Sequence, residues 1–264
     1  MKNNIFILLI ISVFFIKGHK TQAQQTWERF NHFSVENGLS QSVVTSILQD
    51  KQGFIWIGTQ RGLNKFDGVK FKVYKKIEDN KHSLSGNYTR CLYEDSQGYI
   101  WVGTENFGLN RYNRKTETFD NFQRSYNDSL SLSNNSVLSI LQDSQGVLWI
   151  GTKEGLNIFD YSQNNFKLFS PVNDTLNDFK FAVKCIAEDH HRNLWIGTSS
   201  GLYKLNRKRT EIEKFVHQMD DPHSISNNDI NCIFQAKNKK IYIGTNNGLN
   251  VFENNRFKKI EFSS

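Results

Sequence analysis

Several residue types and motifs are scarce in this chain. Its 264 residues include only two prolines and three cysteines, too few for a proline-rich linker or a disulfide-held scaffold. After the apolar run Ile5–Ile16 there is no other long apolar segment and no sustained apolar period of 3.6 residues, so helix should be nearly absent. There is no serine nucleophile elbow, His-x-x-x-His or Cys-x-x-Cys. The sequence therefore marks no catalytic or metal site.

The first 23 residues predict export. Lys2 precedes the apolar run, and the small-residue sequence TQA ends at Ala23. This order defines a secretory signal peptide, and the apolar core is too short for a permanent transmembrane helix. We expect cleavage after Ala23 and a periplasmic location in a diderm bacterium.

Charge excludes one class of partner. Residues 1–23 hold three lysines and no acid, so the formal net charge falls from +7 to +4 on cleavage. The densest basic cluster, Arg207–Arg209, should be a solvated turn. An exported chain with scattered basic residues is not expected to bind nucleic acid.

One motif recurs through the rest of the chain. WIGTQRGLNKFDG begins at residue 56, and WVGTENFGLNRYN, WIGTKEGLNIFD, WIGTSSGLYKLN and YIGTNNGLNVFE follow at intervals of 45, 48, 46 and 47 residues. Such regular spacing indicates five repeats of one supersecondary unit. Each motif starts with a large aromatic residue: Trp56, Trp101, Trp149, Trp195 and Tyr242. The repeats lie near residues 40–76, 86–124, 134–171, 180–217 and 227–262.

Each repeat contains four short β-rich runs separated by turns. In the first repeat these are Val43–Gln49, Phe54–Gly58, Leu63–Phe66 and Lys70–Tyr74. One four-stranded sheet cannot bury both of its apolar faces alone, so such sheets stack side by side as blades. The sequence therefore predicts an all-β fold over residues 24–264, a β-propeller built from five four-stranded blades of about 47 residues.

Four repeated positions have an expected structural role. The aromatic residue should wedge against the next blade. The aspartate six residues before it, such as Asp50, should cap the turn between the first two strands. Cys91, Cys185 and Cys232 share one position with two serines, so we expect free thiols at a small buried site. The glycine two residues after the aromatic should let the backbone pass beneath the ring; it is Gly58, Gly103, Gly151, Gly197 or Gly244.

The strand count leaves closure of the ring open. Trp27–Phe33 ends in an apolar pair like the pair that closes each repeat, so it should form an outermost strand with no blade before it. The fifth repeat already has its own outer strand, Arg256–Phe262. Two alternatives remain: a five-bladed ring with one strand left over, and an incomplete seven-bladed propeller. The count favours the second, in which this chain is the opening part of a longer array.

The repeats also carry a family resemblance. VTSILQDKQGFIWIGTQRGLNKFD, from residue 44, and VLSILQDSQGVLWIGTKEGLNIFD, from residue 137, resemble the two-component regulator propeller repeat. That repeat is typical of the periplasmic sensor region of Bacteroidetes-type hybrid two-component histidine kinases, and the resemblance spans residues 27–262. It implies a periplasmic receptor, often for oligosaccharides, coupled across the membrane to a kinase. The sequence shows no kinase core, receiver or DNA-binding region, so the resemblance assigns no kinase chemistry to this chain.

Loops are the expected place for a ligand, because the strands are occupied with packing. The loop between the second and third strands and the loop that joins consecutive blades should open on the same face. Amides, charged groups and an aromatic platform suit a sugar. The candidate ligand-binding residues are Arg61, Glu105, Asn106, Phe107, Lys153, Glu154, Asn246 and Asn247. Drift in exposed turns would give the same variation, and Phe107, in the one loop with an extra residue, is either displayed or folded inward as a plug.

Three functions remain compatible with the sequence. The first is non-catalytic sensing of an oligosaccharide or another small periplasmic ligand at the input end of a two-component receptor, with no metal or cofactor. The second is an exported propeller enzyme of the polysaccharide lyase or hydrolase type, and the third is a protein–protein interaction scaffold. Besides the ligand, the expected partner is a second copy of the chain or further propeller repeats of the same receptor. Contact with a membrane is expected only through regions that this chain lacks.

Overall fold

The repeated motif determines the local structure of every repeat. In the computed structural model, which describes residues 31–170 and 180–261, each motif forms the second and third strands of a four-stranded antiparallel sheet. Aromatic and β-branched residues suit these paired strands. Gly62, at φ +133°, makes the tight turn between them in the first repeat. Strands β1 to β20 form five such sheets, called blades 1 to 5 in chain order.

Strands pair with their sequence neighbours within each blade. Blade 1 contains β1 Val44–Gln49, β2 Ile55–Thr59, β3 Gly62–Phe66 and β4 Phe71–Tyr74. Blade 2 contains β5 Thr89–Glu94, β6 Ile100–Thr104, β7 Leu109–Asn113 and β8 Thr118–Phe122. Blade 3 contains β9 Val137–Gln142, β10 Leu148–Thr152, β11 Gly155–Asp160 and β12 Asn165–Leu168.

The last two blades follow the same order. Blade 4 contains β13 Val183–Glu188, β14 Leu194–Thr198, β15 Gly201–Leu205 and β16 Ile212–Phe215. Blade 5 contains β17 Ile230–Gln235, β18 Ile241–Thr245, β19 Gly248–Glu253 and β20 Arg256–Ile260. A 3₁₀ turn at Val35–Asn37 is the one helical element in the described ranges. No helix in those ranges is long and apolar enough to cross a bilayer. The predicted all-β fold of five four-stranded blades is confirmed, and the four runs predicted for the first repeat match β1–β4 to within one residue.

Consecutive blades pack face to face, with the motif aromatic in the seam. Trp56 of blade 1 is fully buried, and its ring centroid lies 4.9 Å from that of Tyr112 in blade 2. Trp101 makes the same edge-on contact with Phe159 in blade 3, at 4.9 Å. In blade 4, Leu205 replaces this aromatic partner and packs with Trp149 in one buried cluster. These large rings fill the seams, so the predicted wedge role is confirmed for the tryptophans.

One aspartate fixes both the first turn and the indole of its blade. Asp50 Oδ1 accepts the backbone N–H groups of Gln52 at 3.0 Å and Phe54 at 2.9 Å, which closes the β1–β2 turn. Its Oδ2 accepts the indole N–H of Trp56 at 2.7 Å. Asp95, Asp143 and Asp189 bind their own tryptophans in the same way. The predicted turn cap is confirmed, and the same carboxylate also orients the buried ring.

In three seams, a side chain of the next blade reaches this carboxylate. Arg114 of blade 2 binds Asp50, and the Tyr161 hydroxyl of blade 3 donates to Asp95. Arg209 of blade 4 binds Asp143 at 2.7 Å, and its side chain is only 12% exposed. The expectation that Arg207–Arg209 is a solvated cluster is therefore wrong for Arg209, because its guanidinium is taken up by a carboxylate inside the seam.

The glycine after each aromatic has other neighbours than those predicted. A Cβ at Gly103 would lie 2.4 Å from Cys91 Sγ, directly across the β5–β6 pair, and 2.8 Å from Val137 Cγ1 in blade 3. No atom of a tryptophan is among the nearest neighbours at Gly58, Gly103, Gly151, Gly197 or Gly244. The prediction that glycine makes room beneath the ring is wrong. It makes room for the Ser or Cys of the innermost strand, and in blades 1 to 4 also for the next blade.

The array has two open end faces. β1 packs on β5, β5 on β9, β9 on β13 and β13 on β17, but no comparable contact joins β17 to β1 within residues 31–170 and 180–261. Val44 on the blade 1 face is 41% exposed, although its equivalents in blades 2 to 5 are fully buried: Thr89, Val137, Val183 and Ile230. On the blade 5 face Phe234 is 64% exposed and Tyr242 is half-buried.

The open blade 5 face changes one cysteine environment. All three cysteines are free, as predicted. Cys91 and Cys185 are largely covered by the next blade, and burial raises the pKa of each thiol to about 12. Cys232 is exposed, because no blade in the described ranges covers it. The prediction of a buried thiol is therefore wrong for Cys232.

Phe33 occupies the place of a preceding blade's outer strand. Its ring centroid lies 4.9 Å from that of Phe66 and 5.7 Å from that of Phe71. Tyr74 makes the equivalent contacts one seam later, at 5.4 Å to Tyr112 and 5.5 Å to Phe119. The rest of the leading strand predicted over Trp27–Phe33 lies largely outside the described residues, as does the predicted signal peptide.

Candidate functional site

Two sets of loops meet on one face of the array, which we call the loop face. It is formed by the loop between the second and third strands of each blade, and by the loops that join consecutive blades. A cavity of about 540 Å³ is lined by residues 76–85 of the first connecting loop and by Phe107 of the β6–β7 loop. A second, of about 840 Å³, is lined by residues 124–133 and Glu154. Both cavities are within the usual size range of ligand pockets.

A β-bulge brings one extra residue of each innermost strand to this end of its blade. The β5–β6 register skips one residue between Thr89 and Cys91, so Arg90 has no partner across the pair. The other four blades have the same irregularity, and the bulged residues are Thr45, Leu138, Lys184 and Asn231. Bulges re-aim a side chain and often occur beside functional sites. Five different residue types at one position of a constant framework give the loop face a varied chemistry.

The bulged Arg90 belongs to the first polar network of the loop face. Its Nε donates to Glu105 at 2.6 Å, and Lys153 of blade 3 binds the other oxygen of the same carboxylate. The Ser136 hydroxyl donates to Asn106 at 2.7 Å. Glu105 is 13% exposed at its side chain, and it joins blades 2 and 3 through these partners.

Electrostatics keep Glu105 ionised. Burial alone would raise the pKa of its carboxyl, but hydrogen bonds and charge from Lys153 and Arg90 outweigh burial and hold the pKa below its ordinary value. At neutral pH the network therefore combines one carboxylate with two cations, an amide and a hydroxyl in fixed positions. Such a set can both donate hydrogen bonds to a ligand and accept them from it.

The bulged Lys184 and Asn231 belong to a second network. Lys184 binds Asp229 and lies 3.2 Å from Asn231 Oδ1. Asn246 donates to Asp229 at 2.7 Å and accepts from Asn231 at 2.7 Å. Asn247 lies outside this set; it donates to the Ser226 carbonyl and accepts from Lys259.

The remaining candidates are more separate. Arg61 is exposed at the tip of the β2–β3 loop and makes no hydrogen bond or ion pair through its guanidinium within the described ranges. Glu154 pairs with Arg124 at 2.5 Å in the larger cavity. The structure thus brings together Glu105, Asn106 and Lys153, and places the other candidates at different points of the face.

Phe107 combines the two alternatives left open by the sequence. Its ring packs against the backbone of Gly86, where a Cβ would come within 2.4 Å of it, yet 41% of the residue stays exposed. One side of the ring is therefore covered by backbone, and the other side is exposed.

Sequence reasoning missed the bulged Arg90, Lys184 and Asn231 and their partners Ser136 and Asp229. The available signal was the position just after the repeated β-branched residue, which holds a different residue in every repeat. A bulge cannot be read from alternation alone, because the extra residue shifts the register.

No other chemistry is marked on the described part of the chain. It contains no group of three or more His, Cys, Asp or Glu side chains able to hold a metal ion. The ring centroids of His190 and His191 lie 3.7 Å apart with the ring planes tilted by 42°, and Gln235 of blade 5 forms a hydrogen bond with His190. These features define a blade array of the propeller class with a polar, variable loop face.

Comparison with known proteins finds a family model that matches four of the five blades. The model of the two component regulator propeller matches residues 38–61, 83–106, 131–154 and 224–247, the connecting loop and first two strands of blades 1, 2, 3 and 5. The chain therefore carries the two-component regulator propeller repeat in blades 1, 2, 3 and 5, and the resemblance seen in its sequence is confirmed.

Similar proteins include extracellular domains of two component systems and one kinase. A structure described as the extracellular domain of a hybrid two component system, BT3049 from B. thetaiotaomicron, is 34% identical with a TM-score of 0.73, covering 85% of this chain and 30% of that one. The extracellular domain of BT4673 from the same organism is 25% identical, with a TM-score of 0.66 over 84% of this chain and 28% of that one. Histidine kinase P4 of Formosa agariphila is 47% identical over 64 residues, 24% of this chain and 5% of the kinase. The chain thus spans a small part of these relatives.

Enzymes share the fold alone. Virginiamycin B lyase from Staphylococcus aureus has a TM-score of 0.60 at 12% identity, over 84% of this chain and 71% of that one. This likeness concerns the propeller architecture and says nothing of its chemistry.

Proposed function

We propose that this chain is the ligand-sensing propeller of a two-component receptor, that it recognises an oligosaccharide on its loop face, and that it catalyses no reaction itself. The observation that carries the proposal is the Arg90–Glu105–Lys153 network. It fixes charged groups from two blades at the end of the array where the loops vary. The relatives that are extracellular domains of two component systems support the sensing role.

The chemistry of the loop face suits a polyhydroxylated ligand. Sugar hydroxyls both donate and accept hydrogen bonds, and Glu105, Lys153 and Asn246 offer both kinds of group. The contacts within the two separate networks hold these side chains in place, so little rotamer entropy is lost when a ligand binds. Four cations, Arg61, Arg90, Lys153 and Lys184, also favour a ligand with carboxylate or sulfate groups.

The cellular setting follows from the predicted export signal. We propose that the chain works in the periplasm, on the sensor side of the inner membrane, after cleavage at Ala23. Kinase activity belongs to other regions of such receptors. The partner proposed for the two open end faces is a further set of blades with the same repeat, since Val44 and Phe234 are exposed where inner blades bury their surfaces.

The test is binding without turnover. The purified chain is applied to an array of neutral, uronic acid-containing and sulfated oligosaccharides, and the strongest binder is titrated by isothermal calorimetry. Chromatography of the same mixture after a long incubation looks for products. We expect binding and an unchanged oligosaccharide.

A matched pair of variants locates the site. Lys153→Ala removes a cation of the Arg90–Glu105–Lys153 network, and Lys72→Ala removes an exposed lysine of β4 that pairs with Glu117. We expect at least a tenfold loss of affinity in the first variant and none in the second. The absence of any binder, formation of a product, or equal effects of the two variants would each contradict the proposal.

A further inference from the structure

An inserted residue and a glycine occur together at one place on the loop face. The β6–β7 loop is longer by one residue than the loops at the same position in the other blades, and it contains Phe107. Gly86, three residues before β5, is the one glycine at its position; the equivalent residues before β1, β9, β13 and β17 are Gln41, Asn134, Lys180 and Asn227. The two departures from the repeat are in contact.

The contact requires both departures. A Cβ at Gly86 would lie 2.4 Å from Cδ2, 2.5 Å from Cγ and 2.6 Å from Cβ of Phe107, so no larger residue fits beneath the ring as placed. Gly86 is buried and does not have a positive φ, so its backbone conformation does not itself demand glycine. The remaining reason for a glycine at position 86 is the space that the Phe107 ring needs.

The backbone on both sides of Phe107 is held in place. Asn106 has φ +66° and Gly108 has φ +81°. The Gly108 N–H donates to the Asn135 carbonyl at 2.7 Å, and Gln123 Nε2 donates to the Phe107 carbonyl at 3.2 Å. A ring seated on backbone and anchored at both ends presents its free side in one orientation.

That side opens on a cavity of ligand size. The ring forms part of the wall of the 540 Å³ cavity, beside the apolar Ile77, which is 59% exposed, and the polar Asn80, Lys81 and Asn121. The Asn121 amide donates to the carbonyls of Lys81 and Ser83, which fixes its orientation. Its Oδ1 makes no hydrogen bond within the described ranges and can accept one from a ligand hydroxyl.

We propose that Phe107, supported by Gly86, is a stacking platform for one pyranose ring of the bound oligosaccharide, and that Asn121 and Lys81 bind its hydroxyl groups. This inference rests on the proposed function and names a subsite for it. A pyranose ring has an apolar face of C–H groups, and a half-exposed aromatic ring with a rigid backing offers a flat apolar surface for that face. Polar groups at the edge of the platform then set which hydroxyl pattern is accepted.

The test compares two routes to loss of the platform. Phe107→Ala removes the ring, and Gly86→Asn keeps the ring but installs the residue found in the connecting loops before blades 3 and 5. Phe234→Ala is the control, because it removes an exposed phenylalanine from the blade 5 end face. Each variant is titrated by calorimetry with the oligosaccharide selected on the array, and circular dichroism checks the fold. We expect at least a tenfold loss of affinity for Phe107→Ala and Gly86→Asn, none for Phe234→Ala, and retention in Phe107→Tyr.

Direct contact between the oligosaccharide and Phe107 is detected through the signal of the Phe107 ring. In the chain labelled with ¹³C-phenylalanine, the aromatic signal that disappears in Phe107→Leu is followed during titration with the same oligosaccharide. We expect it to shift as the sugar binds. If the oligosaccharide binds but the Phe107 signal does not shift, and Phe107→Ala binds as tightly as the unaltered chain, the stacking platform is overturned while the proposed function stands. Failure of every oligosaccharide on the array to bind overturns both.

Discussion

Arg114 Nη1 lies 2.7 Å from Asp50 Oδ2 across the seam between blades 1 and 2, on the same oxygen that accepts the indole N–H of Trp56. The second Arg114 nitrogen, Nη2, binds Glu94 of its own blade at 2.8 Å. One side chain therefore connects the turn of one blade, the buried ring in the seam and the innermost strand of the next blade. The seams are held by polar contacts as well as by apolar packing.

Loss of this arginine should destabilise the array. In Arg114→Ala the fully buried Asp50 carboxylate keeps its indole and backbone donors but loses its counter-charge. We expect a loss of about 2–3 kcal/mol in the free energy of unfolding, because an unpaired buried charge is costly. Urea denaturation followed by tryptophan fluorescence measures it. Arg61→Ala, which removes an exposed arginine with no side-chain partner in the described ranges, should stay within about 0.5 kcal/mol; equal losses in the two variants would refute the role of the seam.

The same pair predicts how stability depends on pH. Burial raises the pKa of the Asp50 carboxyl, but the Trp56 indole and the Arg114 guanidinium outweigh it, so the folded pKa lies below the ordinary value. The unfolded chain then binds the proton more readily, and the stabilisation is complete above about pH 4 and lost as pH falls through the folded pKa. In Arg114→Ala this acid-dependent part should shrink. Denaturation at steps from pH 6 to pH 3 tests this, and parallel curves for the two proteins would contradict it.

The glycine after each aromatic gives a matched pair of substitutions. A Cβ at Gly103 would collide with both Cys91 and Val137 of the next blade, whereas at Gly244 it would meet Cys232 Sγ alone, at 2.5 Å. We expect Gly103→Ala to cost about 2–3 kcal/mol and Gly244→Ala about 1 kcal/mol, since overpacking is more costly when neither neighbour can move away. Thermal unfolding by circular dichroism measures both. Equal costs would show that the clash with the innermost strand, and not the next blade, determines the effect.

Local pattern predicted most of the fold, because each blade repeats the same short-range information. The Trp-Ile-Gly-Thr motif, the turn aspartate and the spacing give the strands of blade 1 to within a residue. What failed depends on contacts between blades. Arg209 was misread because its decisive neighbour, Asp143, lies in another repeat, and one of the two close neighbours of Gly103, Val137, does so too.

The candidate site was less predictable than the fold. Loop position alone found Glu105, Asn106 and Lys153, which do share a network. It missed Arg90 and Lys184, because a bulge changes where a strand residue points without changing the composition of the strand. Loop position also could not decide whether Phe107 is displayed or folded inward, because the environment of its ring depends on the absence of a side chain at Gly86.

Thiol reactivity reports whether the blade 5 end face is covered. Cys232 is exposed, while burial raises the pKa of Cys91 and Cys185 to about 12, so at pH 8 those two thiols remain almost entirely protonated as well as covered. Iodoacetamide should therefore modify one cysteine rapidly in the folded chain, with mass spectrometry placing the label on Cys232, and Cys232→Ser should abolish the rapid phase. If copies of the chain associate through this face, the rapid phase slows at high protein concentration and recovers on dilution. In a receptor whose further blades cover the blade 5 end face, iodoacetamide should label Cys232 slowly at every protein concentration. Rapid labelling of Cys232 in such a receptor would overturn the proposal that further blades bind this face.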